Sequence, residues 1–257
     1  MDIVFVGAGR LATQFAKALQ AKGHTIAAVF SRTMESATAL SSAVGGFPTD
    51  RIDSLPLDAD AYILAVKDSV LPALIAQLKE GREDRSMFHT AGSVPMSVLH
   101  ELSHYGVIYP MQTFSKEREV DFTHLPFFVE GNDDLSLQAA TALASSVSDN
   151  VRELNSDDRR FLHLAAVFAC NFPNHCYALA ADILERHGVS FDVLLPLIDE
   201  TARKVHSLHP RQAQTGPAVR YDENVINAQL QLLADEPLKQ QVYDLMSKSI
   251  HYDQLRP

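Results

Sequence analysis

Asp2-Ile3-Val4-Phe5-Val6-Gly7-Ala8-Gly9-Arg10-Leu11-Ala12 opens the chain as an apolar run that breaks at a Gly-x-Gly-x-x-Ala turn and resumes with helical spacing. Each small residue has a physical reason to be there. Gly7 lets the chain turn tightly off a strand, Gly9 lets backbone approach a pyrophosphate, and Ala12 lets helix and strand pack closely. Phosphates then sit at the amino end of the helix, where free N–H groups and the dipole favour an anion. The residues that follow supply the context a lone glycine turn lacks. Leu11, Phe15, Ala18 and Leu19 lay an apolar stripe along a helix over 10–21, Gly23 ends it, and residues 25–30 read as a second strand. This is a dinucleotide-binding start, with Gly7, Ala8, Gly9, Arg10 and Leu11 as its expected phosphate contacts.

The end of the second strand selects the dinucleotide. An NAD site normally places a carboxylate there for the adenosine ribose, whereas this chain has Ser31-Arg32-Thr33. A carboxylate would repel a 2′-phosphate. Arg32 can pair with one, and Ser31 and Thr33 can donate hydrogen bonds to it. The expected cofactor is NADP(H), while Glu35, two residues beyond Thr33, leaves room for NAD.

Strands and helices alternate through the first part of the chain. Strands are expected at 61–66, 86–89, 106–109 and 127–130, helices at 69–78, 94–102 and 134–148, and a short extended segment at 151–154. Repeated strand-helix units imply an α/β domain with a doubly wound parallel sheet, a Rossmann fold, over residues 1–154. From residue 157 the pattern is helical: 157–187, 190–208, 222–233 and 236–249. Residues 155–257 are therefore expected to form an all-α domain whose apolar helix surfaces serve substrate binding and pairing with a second copy, a homodimer.

Composition narrows the partners. The chain has 257 residues, 22 basic against 32 acidic, for a net charge of −10. That balance argues against nucleic acid or an anionic membrane as a general partner. No basic leader precedes the first strand and no apolar stretch reaches transmembrane length, so a cytoplasmic location is expected. The two cysteines, Cys170 and Cys176, fall six apart on a predicted helix, on nearly opposite sides. They suggest neither a disulfide framework nor a metal site and read as packing residues.

In open α/β sheets ligands lie beyond the carboxyl ends of the strands. Ala65-Val66-Lys67-Asp68 follows one strand, where Ala65 and Val66 would run beside the cofactor; Lys67 is either near phosphate or simply solvated. His89-Thr90-Ala91-Gly92-Ser93-Val94-Pro95 follows the next, a turn whose N–H groups suit a carboxylate or the nicotinamide amide; Ser93 is either a substrate contact or a helix cap. Tyr109-Pro110-Met111-Gln112-Thr113-Phe114 sets one amide, Gln112, among apolar residues, as in a substrate pocket. The long helix carries His163, Asn171, Asn174 and His175 within an apolar stretch. His163 and Asn171, eight apart, can face one cleft, which makes Asn171 a candidate catalytic residue and substrate contact beside the histidine. A histidine there is a candidate proton donor to a developing alkoxide or amine, or a hydrogen-bonded packing group, and His89 is a second candidate acid. In the loop 213–222, Thr215 and Arg220 are candidate contacts for an acidic substrate.

Taken in order, the glycine turn, Ala65-Val66-Lys67-Asp68, His89-Thr90-Ala91-Gly92-Ser93, Tyr109-Pro110-Met111-Gln112-Thr113-Phe114, the His163 to Asn171 helix and Thr215-Gly216-Pro217 resemble one family. It is the family of Rossmann-like proteins with a C-terminal helical domain of unknown function, often labelled NADP oxidoreductases, and the resemblance covers nearly the whole chain. The layout is more distantly similar to pyrroline-5-carboxylate reductase and the β-hydroxyacid dehydrogenases. That resemblance implies an NADP-linked reductase acting on a small carbonyl or imine compound in an interdomain cleft, and a homodimer built through the helical domain. β-Hydroxyacid dehydrogenases carry a catalytic lysine on the long helix, where this chain has His163, so their proton chemistry does not transfer. An NADP(H)-binding sensor without turnover is the alternative, and a non-binding scaffold the third.

Overall fold

The computed structural model describes residues 1–115 and 118–255. They fall into two compact units, 1–170 and 171–257.

The first unit runs β1 (Asp2–Val6), α1 (Arg10–Ala21), β2 (Thr25–Phe30), α2 (Met34–Val44), β3 (Phe47–Thr49), β4 (Ala61–Leu64), α3 (Leu71–Leu78), β5 (Ser86–His89), β6 (His104–Pro110), β7 (Phe127–Gly131), α4 (Asp134–Val147), β8 (Val151–Glu153) and α5 (Ser156–Ala166). The eight strands form one sheet in the order β3-β2-β1-β4-β5-β6-β7-β8. The sequence reaches out from β1 in both directions, which makes the boundary between β1 and β4 the point where the winding reverses. The expected Rossmann architecture is present, with helices on both faces.

Strand periodicity explains the two cores. Successive side chains of β1 point to opposite faces. Ile3 and Phe5 pack with Phe15 and Leu19 of α1 and Leu143 of α4. Val4 and Val6 pack with Leu71, Leu74, Ile75 and Leu78 of α3. Because both faces are covered, the strand reads as a continuous apolar run. Phe15 anchors the first core through an edge-on contact with Phe5 and stacking on Phe122.

Several local expectations are corrected. The sheet is not wholly parallel, since β6 and β7 pair antiparallel; among the described residues of the link between them there is no crossover helix. Close approach in this pair requires glycine, because a Cβ on Gly106 would lie 2.0 Å from the Glu130 carbonyl oxygen. β3 adds to the expected strands; its Pro48 has no N–H to offer, which an edge strand tolerates. The helix expected over 94–102 shrinks to a 3₁₀ turn, Met96–Leu99. There the N–H of Met96 donates to the Ser156 hydroxyl at 2.8 Å, so tertiary contacts replace helical ones. Arg82, 3 % exposed, is held without a carboxylate, donating to the carbonyls of Leu55, Pro56, Leu78 and Glu80.

Beyond α5 the chain makes a π-helical turn, Val167–Asn171, and then α6 (Phe172–Arg186). One uninterrupted helix over 157–187 was expected. Pro173, in the first turn of α6, has no N–H to donate backward, which accounts for the local widening. The second unit continues with α7 (Leu195–Lys204), shorter than the expected 190–208, then α8 (Pro210–Ala213), α9 (Pro217–Arg220), α10 (Glu223–Leu232) and α11 (Pro237–Gln254). Within it Lys239 pairs with Glu236 at 2.6 Å and Asp182 at 3.3 Å, and Glu236 also pairs with Arg186. Cys170 and Cys176 are exposed, not packed as expected. No helix among the described residues is long and apolar enough to cross a membrane.

Candidate functional site

Gly7 shapes the first half of the site. Its φ of 116° is one that a side chain rarely adopts, and a Cβ there would stand 2.3 Å from the Ala65 carbonyl oxygen. Only glycine lets the ends of β1 and β4 meet so closely. Its N–H donates to the Phe30 carbonyl at 2.8 Å, tying in β2 as well. Gly9 has open space where a Cβ would be, and it caps α1 without any side-chain hydrogen bond. The first turn of α1 contains no acid, so its N–H groups and dipole present an uncompensated positive end.

These features line a cleft of about 390 Å³ bounded by Gly7, Ala8, Gly9, Ser31, Arg32, Ala65, Val66 and Lys67. Val70, Ala73 and Leu74 add an apolar wall. Eight sequence-predicted residues are thereby brought together. Arg10 and Leu11 are the first residues of α1, behind the glycine turn. Thr33 caps α2, its hydroxyl accepting from the Ser36 N–H and donating to the Ser36 hydroxyl. Arg32 is exposed and has no ion-pair partner among the described residues. It also borders a wider groove of about 910 Å³ shared with Arg51, which pairs with Asp53. The cradle therefore fits a dinucleotide: backbone and a helix end for the pyrophosphate, and a free guanidinium at the end of β2.

The second half lies at the ends of β5 and β6. Tyr109 Oη and His163 Nδ1 are 3.0 Å apart, with the rings edge-on. Gly92 closes against both, since a Cβ there would be 2.5 Å from His163 Nδ1 and 2.9 Å from Tyr109 Cζ. α5 is held in place by Arg159, 1 % exposed, which pairs with Glu130 of β7 and donates to the Val94 carbonyl at 2.7 Å. Glu130 also accepts from the N–H and the hydroxyl of Ser156 at 2.9 and 2.7 Å. Because Arg159 and His163 are four apart, both project from one side of α5. Arg159, Glu130, Ser156 and the role of Tyr109 escaped the sequence reading. The available signal was a serine, an arginine and a histidine at 156, 159 and 163, spaced to share one helix face.

The remaining predicted residues are dispersed. His89 is fully buried, and its Nδ1 accepts from the Ala91 N–H at 3.2 Å. Its Nε2 has no hydrogen-bond partner among the described residues, although the Pro95 carbonyl is near enough to act on the ring. Burial first, and the Arg159 charge second, push its pKa down to about 4. Ser93 donates to Asp68 at 2.7 Å. Gln112 turns its side-chain oxygen back onto the Thr113 N–H. Asn171, Asn174 and His175 are exposed, so the helix stretch is less buried than its composition suggests. Thr215 and Arg220 are exposed in the second unit.

Against known proteins, residues 2–88 match the family model described as NADP oxidoreductase, coenzyme F420-dependent, and residues 125–250 match a domain of unknown function. No curated protein matches the chain significantly. The chain is similar to a Bacteroides fragilis protein of known crystal structure, provisionally named an NADP oxidoreductase: 52 % identity over 98 % of each chain, with a TM-score of 0.94. The chain belongs to this NADP oxidoreductase family. The family fold extends to more distant proteins. An imine reductase from Myxococcus stipitatus in complex with NADP⁺ is 15 % identical over 98 % of this chain and 93 % of its own, with a TM-score of 0.71. A pyrroline-5-carboxylate reductase from Coxiella burnetii is 17 % identical over 97 % and 98 %, with a TM-score of 0.58.

Within this family member, His89 makes a testable contribution to acid sensitivity. The unfolded chain takes up the histidine proton near pH 6.5, whereas the folded protein resists until about pH 4, so stability falls as pH drops through that window. At pH 4.5 the expected loss relative to pH 7 is about 2.5 kcal/mol from this group. In His89→Asn, which keeps an acceptor for Ala91, urea denaturation at the two pH values should show a correspondingly smaller difference.

Proposed function

We propose that the protein transfers hydride between NADP(H) and the carbon of a small carbonyl or imine compound. The observation that carries this reading is the placement of two distinct halves along one edge of the sheet. The glycine cradle lies at the ends of β1 and β4, and the Tyr109–His163 pair at the end of β6, two strands beyond β4. At about 4.8 Å per strand the halves are separated by roughly 10–15 Å. With its 2′-phosphate end at β2 and its pyrophosphate on the glycine turn, a bound dinucleotide would carry its nicotinamide end in the direction of β5 and β6.

Gly7, Ala8, Gly9, Arg10 and Leu11 hold the pyrophosphate, with Ala65, Val66 and Lys67 along the opposite wall. Ser31, Arg32 and Thr33 surround the 2′-phosphate, Arg32 supplying the charge. When bound, NADPH supplies hydride to the substrate carbon, whose π-electron pair moves onto oxygen or nitrogen. His163 donates a hydrogen bond to that atom as negative charge develops there, and the proton that completes the product comes from solvent. Ser93 and Gln112 are the substrate contacts proposed from the same edge. His89, buried and neutral at physiological pH, acts by packing.

We also propose a homodimer through the helical unit. Only Ala218, Ile226 and Ser247 of residues 171–255 are buried, whereas Leu232, Leu238, Leu245 and Leu197 are 85 %, 73 %, 70 % and 62 % exposed. Apolar surface on that scale is normally covered, and a second copy offers the matching face.

NADPH should bind more tightly than NADH, read by nicotinamide fluorescence and thermal stabilisation. Arg32→Ala should weaken NADPH roughly 10–100-fold, the worth of charged hydrogen bonds, and leave NADH nearly unchanged; equal weakening of both would refute its role. NADPH consumption screened against keto acids and cyclic imines should fall in His163→Ala while NADPH affinity persists. Binding without turnover across such a screen would favour the sensor instead. Sedimentation equilibrium should give a dimer mass, shifted toward monomer in Leu238→Glu/Leu245→Glu; a monomeric wild type would overturn the dimer.

A further inference from the structure

The Tyr109–His163 contact carries more than proximity. Tyr109 is 8 % exposed, and burial pushes its phenol above the usual tyrosine range, with the Arg159 charge opposing and Cys170 adding to the effect. The phenol keeps its proton at neutral pH and can donate it to Nδ1 across the 3.0 Å contact. A neutral imidazole that accepts at Nδ1 has its own proton on Nε2.

The surroundings leave the ring little freedom. Gly92 stands so close that a Cβ there would meet both His163 Nδ1 and Tyr109 Cζ within 3 Å, so the backbone closes one side. One turn earlier on α5, buried Arg159 is pinned to Glu130 and to the Val94 carbonyl, two residues beyond Gly92. The helix that carries His163 and the loop that flanks it are thus fastened together by one guanidinium.

We propose that Tyr109 is a positioning residue: its hydroxyl fixes the tautomer and direction of His163 so that Nε2–H is the group presented to the substrate. The proposal rests on the reductase reading above, but its test does not depend on turnover. The full-length protein labelled with ¹⁵N-histidine is measured by long-range ¹H–¹⁵N correlation at neutral to mildly alkaline pH, the His163 ring being assigned by its disappearance in His163→Gln. The expected wild-type spectrum shows an unprotonated Nδ1 and a protonated Nε2. Tyr109→Phe, which keeps the ring and removes the donor, should convert that pattern into a mixture of both tautomers. Gly92→Ala, whose Cβ would push on both the imidazole Nδ1 and the Tyr109 ring, should disturb it as well.

A wild-type ring protonated on Nδ1, or a Tyr109→Phe spectrum identical to wild type, would overturn the proposal. NADPH titration of the same samples separates the two readings. Unchanged NADPH affinity in Tyr109→Phe shows that fold and cofactor site survive the substitution. Failure of the wild type to bind NADPH would remove the reductase reading and leave the tautomer result standing on its own.

Discussion

A buried guanidinium organises the chemistry-bearing end of this protein. Arg159 reaches Glu130 on β7, the carbonyl of Val94 and the hydroxyl of Ser156 from a position 1 % exposed. Removing such a charge from water costs several kcal/mol, offset only when its partners are all in place. The strand, the loop after β5 and the start of α5 are therefore held in one arrangement. Ser156 completes it by donating to Glu130 and accepting from Met96, which is also why that loop coils into a short 3₁₀ turn and not the longer helix its residues favour.

What the clamp presents is His163, one turn along α5, against Tyr109 and Gly92. The sheet separates this group from the glycine cradle by strand order. β4 and β5 lie between the ends of β1 and β6, so strand spacing sets the separation of the strand ends, and the Arg159 clamp holds α5 and the loop after β5 at the far one. In the proposed reaction this is how a long cofactor is laid across the edge with its phosphates at one end and its reactive ring at the other. Glycine appears where backbones must nearly touch: Gly7 against Ala65, Gly106 against Glu130, and Gly92 against the histidine.

The helical unit obeys a different economy of burial. Its helices are amphipathic in the ordinary sense, yet most of their large apolar side chains remain exposed. Ion pairs such as Lys239 with Glu236 and Asp182 tie helices together within the unit without covering that surface. The proposed second copy would cover what the chain alone leaves bare.

Much of the architecture was legible in the linear chain because strands buried on both faces and a glycine turn leave local marks. The run from Asp2 to Ala12, the following helix and the Ser31-Arg32-Thr33 strand end predicted the cradle, and Gly7, Ala8, Gly9, Ser31, Arg32, Ala65, Val66 and Lys67 do line one cleft. Reading failed where partners are distant in sequence. The antiparallel β6–β7 pair, edge strand β3 with its proline, and the π turn before Pro173 reflect pairing and geometry that no local period encodes. So does the polar clamp: Arg159 lies 29 residues from Glu130, and Tyr109 lies 54 from His163. Sequence determined the elements and the phosphate turn, since these depend on side-chain period and on what glycine permits. Tertiary structure alone decided which histidine meets a hydroxyl and which is sealed away, because that depends on where strand ends converge and on the cost of burying charge.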